Sequence, residues 1–187
     1  MKFEEFENYY YVDKTRFIET VEASAPFLFL IRPRRFGKSL WLNTMKAYYD
    51  LNKANQFDDL FGETYIGQHP TEERNKYFIL SFNFSSVDAD LTTVKSSFEE
   101  HCQQSFEAFY DTYSSILGEE FIIGYAKYKT AESRMEFVSR YCLKKNLSIY
   151  LSTSMIILPT PFSVSMASEL TQKLHTVMVF CAYSSIN

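Results

Sequence analysis

The chain has 187 residues, of which 46% are apolar and 18% aromatic, and its formal net charge is −4. This composition excludes a disordered or low-complexity protein, and the low count of 5 Gly and 5 Pro favours long regular elements over a many-stranded sandwich. The negative charge offers no general attraction for nucleic acid or anionic membranes, so a phosphate ligand would need a local site.

Cysteine, histidine and hydropathy patterns exclude several further classes. The three cysteines, Cys102, Cys142 and Cys181, lie far apart, and so do the three histidines. We therefore predict neither a disulfide framework nor a zinc site, and we expect a cytoplasmic protein. The acidic N-terminus has no signal-peptide pattern, and no apolar run is long enough to cross a membrane, so no membrane contact is expected.

The first half of the chain alternates helix and strand. Apolar spacing predicts a short helix over 16–24, and the apolar run at 26–31 is typical of a strand buried on both faces of a parallel sheet. A helical pattern then extends from Leu40 to about Asp50. Residues 51–76 are expected to be rich in loops, because Gly and Pro interrupt them.

The second half continues the alternation. The pattern predicts a strand at 77–84, a long helix at about 91–117, another helix at about 130–145 and a short strand at 147–151. Strands that alternate with helices indicate an α/β fold with a parallel sheet flanked by helices.

The most informative motif joins the first strand to the second helix. It has the sequence R-P-R-R-F-G-K-S and resembles the phosphate-binding pattern G-x-x-x-x-G-K-[ST], except that Arg32 stands at the first Gly position. Backbone amides at a helix start attract phosphate, Lys38 would supply charge to the terminal phosphates, and Ser39 would supply a hydroxyl to Mg²⁺. The alternative for this motif is a capped helix start beside an exposed basic turn. The candidate nucleotide-binding residues are Arg32, Pro33, Arg34, Arg35, Phe36, Gly37, Lys38, Ser39 and Leu40.

This motif and several others resemble the AAA-ATPase-like domain family of bacterial proteins. The similar segments are residues 10–15, 27–39, 48–50, 60–67 and 80–85. The resemblance implies a P-loop NTPase-like fold that binds ATP and Mg²⁺, with Lys38 on the phosphates and Ser39 on the metal. It also implies that residues 11–15 lie near the base, although simple packing of the N-terminal segment explains them equally well. Full-length members continue into a PD-(D/E)XK nuclease-like domain, so contact with nucleic acid is expected only through that missing region.

The acidic pair that such a hydrolase needs is missing. The resemblance implies an I-D-E-Y-D string directly after a strand such as 147–151. In this chain S-T-S-M-I-I follows that strand, and Glu169 is the first acidic residue beyond it. All but two of the charged side chains precede residue 152. One hypothesis explains both facts: a one-base deletion near the Leu151 codon, since codons for 152–164 permit I-D-E-Y-D in the neighbouring frame. Residues 1–151 are then an incomplete P-loop domain, and 152–187 an out-of-frame tail without native domain structure. The alternative for the apolar run at 177–182 is a buried C-terminal strand.

These observations predict a nucleotide-binding domain that is impaired in hydrolysis, with no catalytic residue assigned. A non-catalytic interaction module, or an inactive pseudogene-like fragment, is the alternative. Nucleic-acid binding through the arginines at 32–35 is a further alternative, which the net charge of −4 disfavours. The sequence leaves the oligomeric state open.

Overall fold

A computed structural model describes residues 11–24, 27–31, 35–85, 87, 90, 92–156 and 178–183. Helices and strands alternate along the chain, as the sequence predicts. The helices are α1 (Phe17–Glu22), α2 (Lys38–Tyr49), α3 (Phe57–Phe61), α4 (Tyr65–Gln68), α5 (Val94–Leu117), α6 (Glu119–Tyr125) and α7 (Ala131–Lys145), with a 3₁₀ turn at Leu51–Gln56. The strands are β1 (Phe27–Ile31), β2 (Phe78–Phe84), β3 (Ile149–Ile156) and β4 (Met178–Tyr183).

The four strands form one parallel sheet in the order β1-β4-β3-β2. Helices lie between β1 and β2 and between β2 and β3, and such crossover connections are what parallel strands require. The α/β class with helices flanking a parallel sheet is therefore confirmed.

Helices pack on both sides of this sheet because alternate strand residues point to opposite faces. Phe78, Leu80 and Leu151 face α5, α6 and α7. Tyr150 faces the other way, into a cluster that includes α1, α2, α3 and α4. We call these two sides the α5 face and the α2 face.

Local sequence explains where the helices begin and end. Thr130 caps α7 in a reciprocal capping box with Ser133, and α7 ends at Asn146 in the left-handed conformation. Gly118, at φ 85°, separates α5 from α6. Glu99 of α5 accepts a hydrogen bond from the amide of Ala131 at 2.7 Å, so the start of α7 is tied to α5.

The predicted elements are confirmed with two corrections. Residues 51–76 are not simply loop, because the 3₁₀ turn, α3 and α4 fill much of the segment; these elements are too short to show a helical period. Helix α6 is absent from the sequence prediction for the same reason: it has seven residues and directly follows Gly118. Residues 26–31 are expected to be buried on both faces of the sheet, and most of their side chains lie outside the described residues.

The C-terminal segment contributes strand structure. β3 continues beyond the predicted end at 151 as far as Ile156, and β4 lies between β1 and β3. The assignment of 152–187 to a shifted reading frame stays a prediction, since backbone pairing does not report the frame in which a segment is translated.

Candidate functional site: a phosphate loop at the start of α2

The loop between β1 and α2 turns through left-handed backbone. Arg35 has φ 66° and Gly37 has φ 71°, while Phe36 between them is 59% exposed. Glycine adopts the left-handed region without strain, whereas arginine does so at a cost of about 1–2 kcal/mol. The turn therefore holds a defined curved conformation that leads directly into α2.

Helix α2 begins at Lys38, whose side chain is only 4% exposed. Gly37 occupies the N-cap position and has no side chain to bond the first amides of the helix, which have no partner within any helix. The positive end of the helix dipole and a lysine thus lie at the same place. This arrangement can accept the negative charge of a phosphate group.

The other candidate residues divide into two groups. Arg35, Phe36, Ser39 and Leu40 are exposed around the turn and the first helical turn. Arg32, Pro33 and Arg34 lie outside the described residues, so their placement stays a prediction.

The N-terminal segment packs beside α2. Tyr11 forms a side-chain hydrogen bond with Thr44, one and a half turns after the phosphate loop. Burial raises the pKa of Tyr11 above its usual value, and the nearby charge of Asp13 adds to the rise. The sequence gives no local signal for this pair, because Tyr11 and Thr44 are distant in the chain.

Asp13 and Thr15 hold the start of α4. Asp13 accepts hydrogen bonds from the amides of Tyr65 at 2.7 Å and Thr15 at 2.8 Å, and Thr15 Oγ1 accepts from the amide of Ile66 at 3.1 Å. Partial burial acts to raise the pKa of Asp13, but these amide bonds lower it below its usual value. Among the two interpretations of residues 11–15, this geometry supports packing of the N-terminal segment.

Close packing explains the glycine next to this cap. A Cβ atom on Gly67 would lie 1.7 Å from the carbonyl oxygen of Phe61, so only glycine lets α4 fold back onto α3. The segments around Asp13 and Gly67 are therefore parts of one structural unit beside α2.

The described residues provide little for a divalent cation. Ser39 can supply one hydroxyl, and the buried hydroxyl of Ser152 on β3 has no hydrogen-bond partner. β3 contains no Asp or Glu, and no cluster of three or more His, Cys, Asp or Glu side chains occurs in the described part of the chain. Within the described residues, the start of α2 offers amides and a lysine to a phosphate group, and β3 brings no carboxylate of the kind that Mg²⁺ prefers.

The strand β1 of the parallel sheet precedes a left-handed glycine and a helix that begins with a buried lysine. This order of elements is typical of the P-loop class of nucleotide-binding proteins. The chain belongs to the predicted AAA-ATPase family, whose model matches residues 1–156. Membership in this family supports a nucleotide-binding, ATPase-like domain and suggests the use of ATP and Mg²⁺.

A curated relative is similar over a shorter stretch. An uncharacterized protein in the vnfD 5′ region of Azotobacter chroococcum mcd 1 is 46% identical over 52 residues, which is 28% of this chain and 10% of the relative. The chain therefore matches only a small part of that protein's length. No solved structure matches the chain.

None of the helices in the described ranges combines the length and the apolar character that a membrane span needs.

Proposed function

We propose that the chain binds ATP through the loop at 32–39 and the first turn of α2. The observation that carries the proposal is the burial of Lys38 at the start of α2, directly after left-handed Gly37. The amides and the helix dipole attract the phosphates, and the Lys38 ammonium neutralises their charge. Arg35 adds positive charge beside them, and the proposal assigns the same role to Arg32 and Arg34, which lie outside the described residues.

We further propose that bound nucleotide is hydrolysed poorly. Ser39 would hold Mg²⁺ together with the phosphates, and Mg²⁺ would neutralise charge as it develops on them. A carboxylate from a neighbouring strand normally completes such a site, and β3 supplies none. This chain therefore retains the parts that bind phosphate and lacks a part that promotes hydrolysis.

The shifted reading frame of residues 152–187 belongs to the same proposal. The family match ends at residue 156, close to the abrupt loss of charged residues after Leu151. Sequencing the gene with its flanks tests it: a downstream frame that encodes I-D-E-Y-D supports a deletion, and one that does not refutes it. We place the protein in the cytoplasm, where the thiols of Cys102 and Cys142 would stay reduced.

Nucleotide affinity tests the binding proposal. A fluorescent ATP analogue is titrated into the wild type, Lys38→Ala and Lys127→Ala, first in EDTA and then in Mg²⁺. We expect Lys38→Ala to lose affinity by about tenfold or more, because a charge-assisted contact to phosphate is worth about 1.5–3 kcal/mol. Lys127, exposed in the turn between α6 and α7, should behave as wild type.

Two further measurements separate the alternatives. Ser39→Ala should keep its affinity in EDTA and lose only the gain that Mg²⁺ provides, so it reports on the site even if Lys38→Ala folds poorly. Equal affinity of Lys38→Ala and the wild type, or a melting temperature that millimolar ATP does not change, would favour a non-catalytic interaction module.

A further inference from the structure

A groove of about 330 Å³ lies beside β2, away from the phosphate loop. One wall is α2, which contributes Lys46 and Ala47, and the other is α5, which contributes Ala108 and Phe109. Its floor is β2 itself, through Ile79 and Ser81. None of the candidate nucleotide-binding residues at 35–40, which are the described ones, lines this groove.

The floor of the groove is a strand edge. β2 is the last strand on its side of the described sheet. The amide of Phe78 donates to the carbonyl of Ser148, next to β3, at 3.0 Å. Because successive residues direct their backbone groups to opposite sides of a strand, those of Ile79 and Ser81 point away from β3 and into the groove.

The edge of β2 is blocked at Ile79 by a side chain of the protein itself. The amide of Ile79 donates to the Tyr113 hydroxyl at 3.1 Å, and that hydroxyl donates to Asp50 at 2.9 Å. The edge at Ser81 lies further along, where small side chains line the α5 wall. The groove is therefore closed at Tyr113 and leaves room for a backbone beside Ser81.

The charges in the groove favour an acidic occupant. The Lys46 ammonium lies 3.4 Å from the Ser81 hydroxyl, and Lys53 lines the same groove. Asp50, the acid in the lining, accepts hydrogen bonds from Tyr113 and from the amide of Asn52. A carboxylate that entered beside Ser81 would meet lysine at hydrogen-bonding range.

We propose that this groove is a docking site for an extended segment of a partner protein with acidic side chains, which adds to the sheet beside β2. Main-chain hydrogen bonds to the Ser81 edge would supply affinity, and alternate carboxylates that reach Lys46 would supply selectivity. This surface differs from the candidate nucleotide site, since its lining begins at Asn43 on α2, beyond residues 35–40.

A labelled peptide tests the proposal on the full chain. The probe is a fluorescein-labelled hexapeptide of alternating Val and Glu, and the comparison peptide has Lys in place of Glu. We expect the Glu peptide to bind at least about tenfold more tightly than the Lys peptide. Ala108→Phe, which fills the groove from an exposed helix position, should weaken the Glu peptide about tenfold, whereas Ala126→Phe, exposed beyond α6, should not.

A charge reversal provides a second, independent test. Lys46→Glu should invert the preference, so that the Lys peptide binds more tightly than the Glu peptide. Equal binding of the two peptides to the wild type, or unchanged binding to both Ala108→Phe and Lys46→Glu, would overturn the proposal. A dimer of the chain that Ala108→Phe dissociates would place a second copy in the groove, and would overturn it as well.

Discussion

The two faces of the sheet are held together in different ways. On the α5 face, aromatic rings fill the space between α5, α6 and α7, with Phe121 in contact with five neighbouring rings. On the α2 face, hydrogen bonds between segments distant in the chain fix short elements: Asp13 and Thr15 bond the amides that begin α4. Aromatic packing supports both faces, and on the α2 face polar contacts also fix the start of an element as short as α4.

This difference bears on which substitutions each face tolerates. An apolar core tolerates exchange among hydrophobic residues of similar volume. A cap made by Asp13 and Thr15, or the contact of Gly67 with a carbonyl, does not tolerate exchange, because the geometry needs that atom or its absence. We therefore expect substitutions at Asp13, Thr15 and Gly67 to be tolerated less well than exchanges among the apolar residues of the core.

The largest expected effect is on the α5 face. Phe121 is completely buried, so Phe121→Ala should leave a cavity and destabilise the protein by about 3–5 kcal/mol. Chemical denaturation measures the change. Ile123→Ala, two residues on and 56% exposed, is the matched control and should change stability by less than about 0.5 kcal/mol. A loss under about 1 kcal/mol for Phe121→Ala would contradict the account of this face.

The same contrast explains how far the sequence predicts the molecule. The long elements α2, α5 and α7 follow from helical periodicity, and the candidate phosphate loop follows from a motif between strand and helix. Helix α4 and its cap do not, because Thr15 and Ile66 are 51 positions apart and α4 has four residues. The sequence does not predict the groove beside β2 either, because that prediction requires the order of the strands in the sheet.

A smaller effect is expected from the polar contacts of the α2 face. Thr15→Val keeps the shape of a fully buried side chain but removes the oxygen that accepts from Ile66, which should cost about 1–3 kcal/mol. Hydrogen exchange should show faster exchange in α3 and α4 and unchanged protection in α6 and α7.

Thr112→Val is the matched control for this substitution. The Thr112 hydroxyl is exposed and donates only within its own helix, to the carbonyl of Ala108. Its loss should change stability by less than about 0.5 kcal/mol. Equal effects of Thr15→Val and Thr112→Val would show that the cap on α4 contributes nothing specific to the α2 face.

The smallest effect concerns acid pH, where charges on the two faces respond differently to salt. Hydrogen bonds and charge from Lys145 and Lys144 lower the pKa of Glu120, on the outer surface of the α5 face, to about 2. A depressed folded-state pKa means that this contribution is present above the ordinary value of about 4.3 and is lost as pH falls toward 2. Glu120→Gln should make the free energy of unfolding depend less on pH over that interval. High salt should weaken the pH dependence of the wild type, because all three side chains are exposed.

Asp13 also has a lowered pKa, but backbone amides cause it, so its contribution to stability should persist in high salt. Acid titrations of Glu120→Gln and Asp13→Asn at low and high salt compare the two faces directly, and equal salt dependence would contradict the distinction between them.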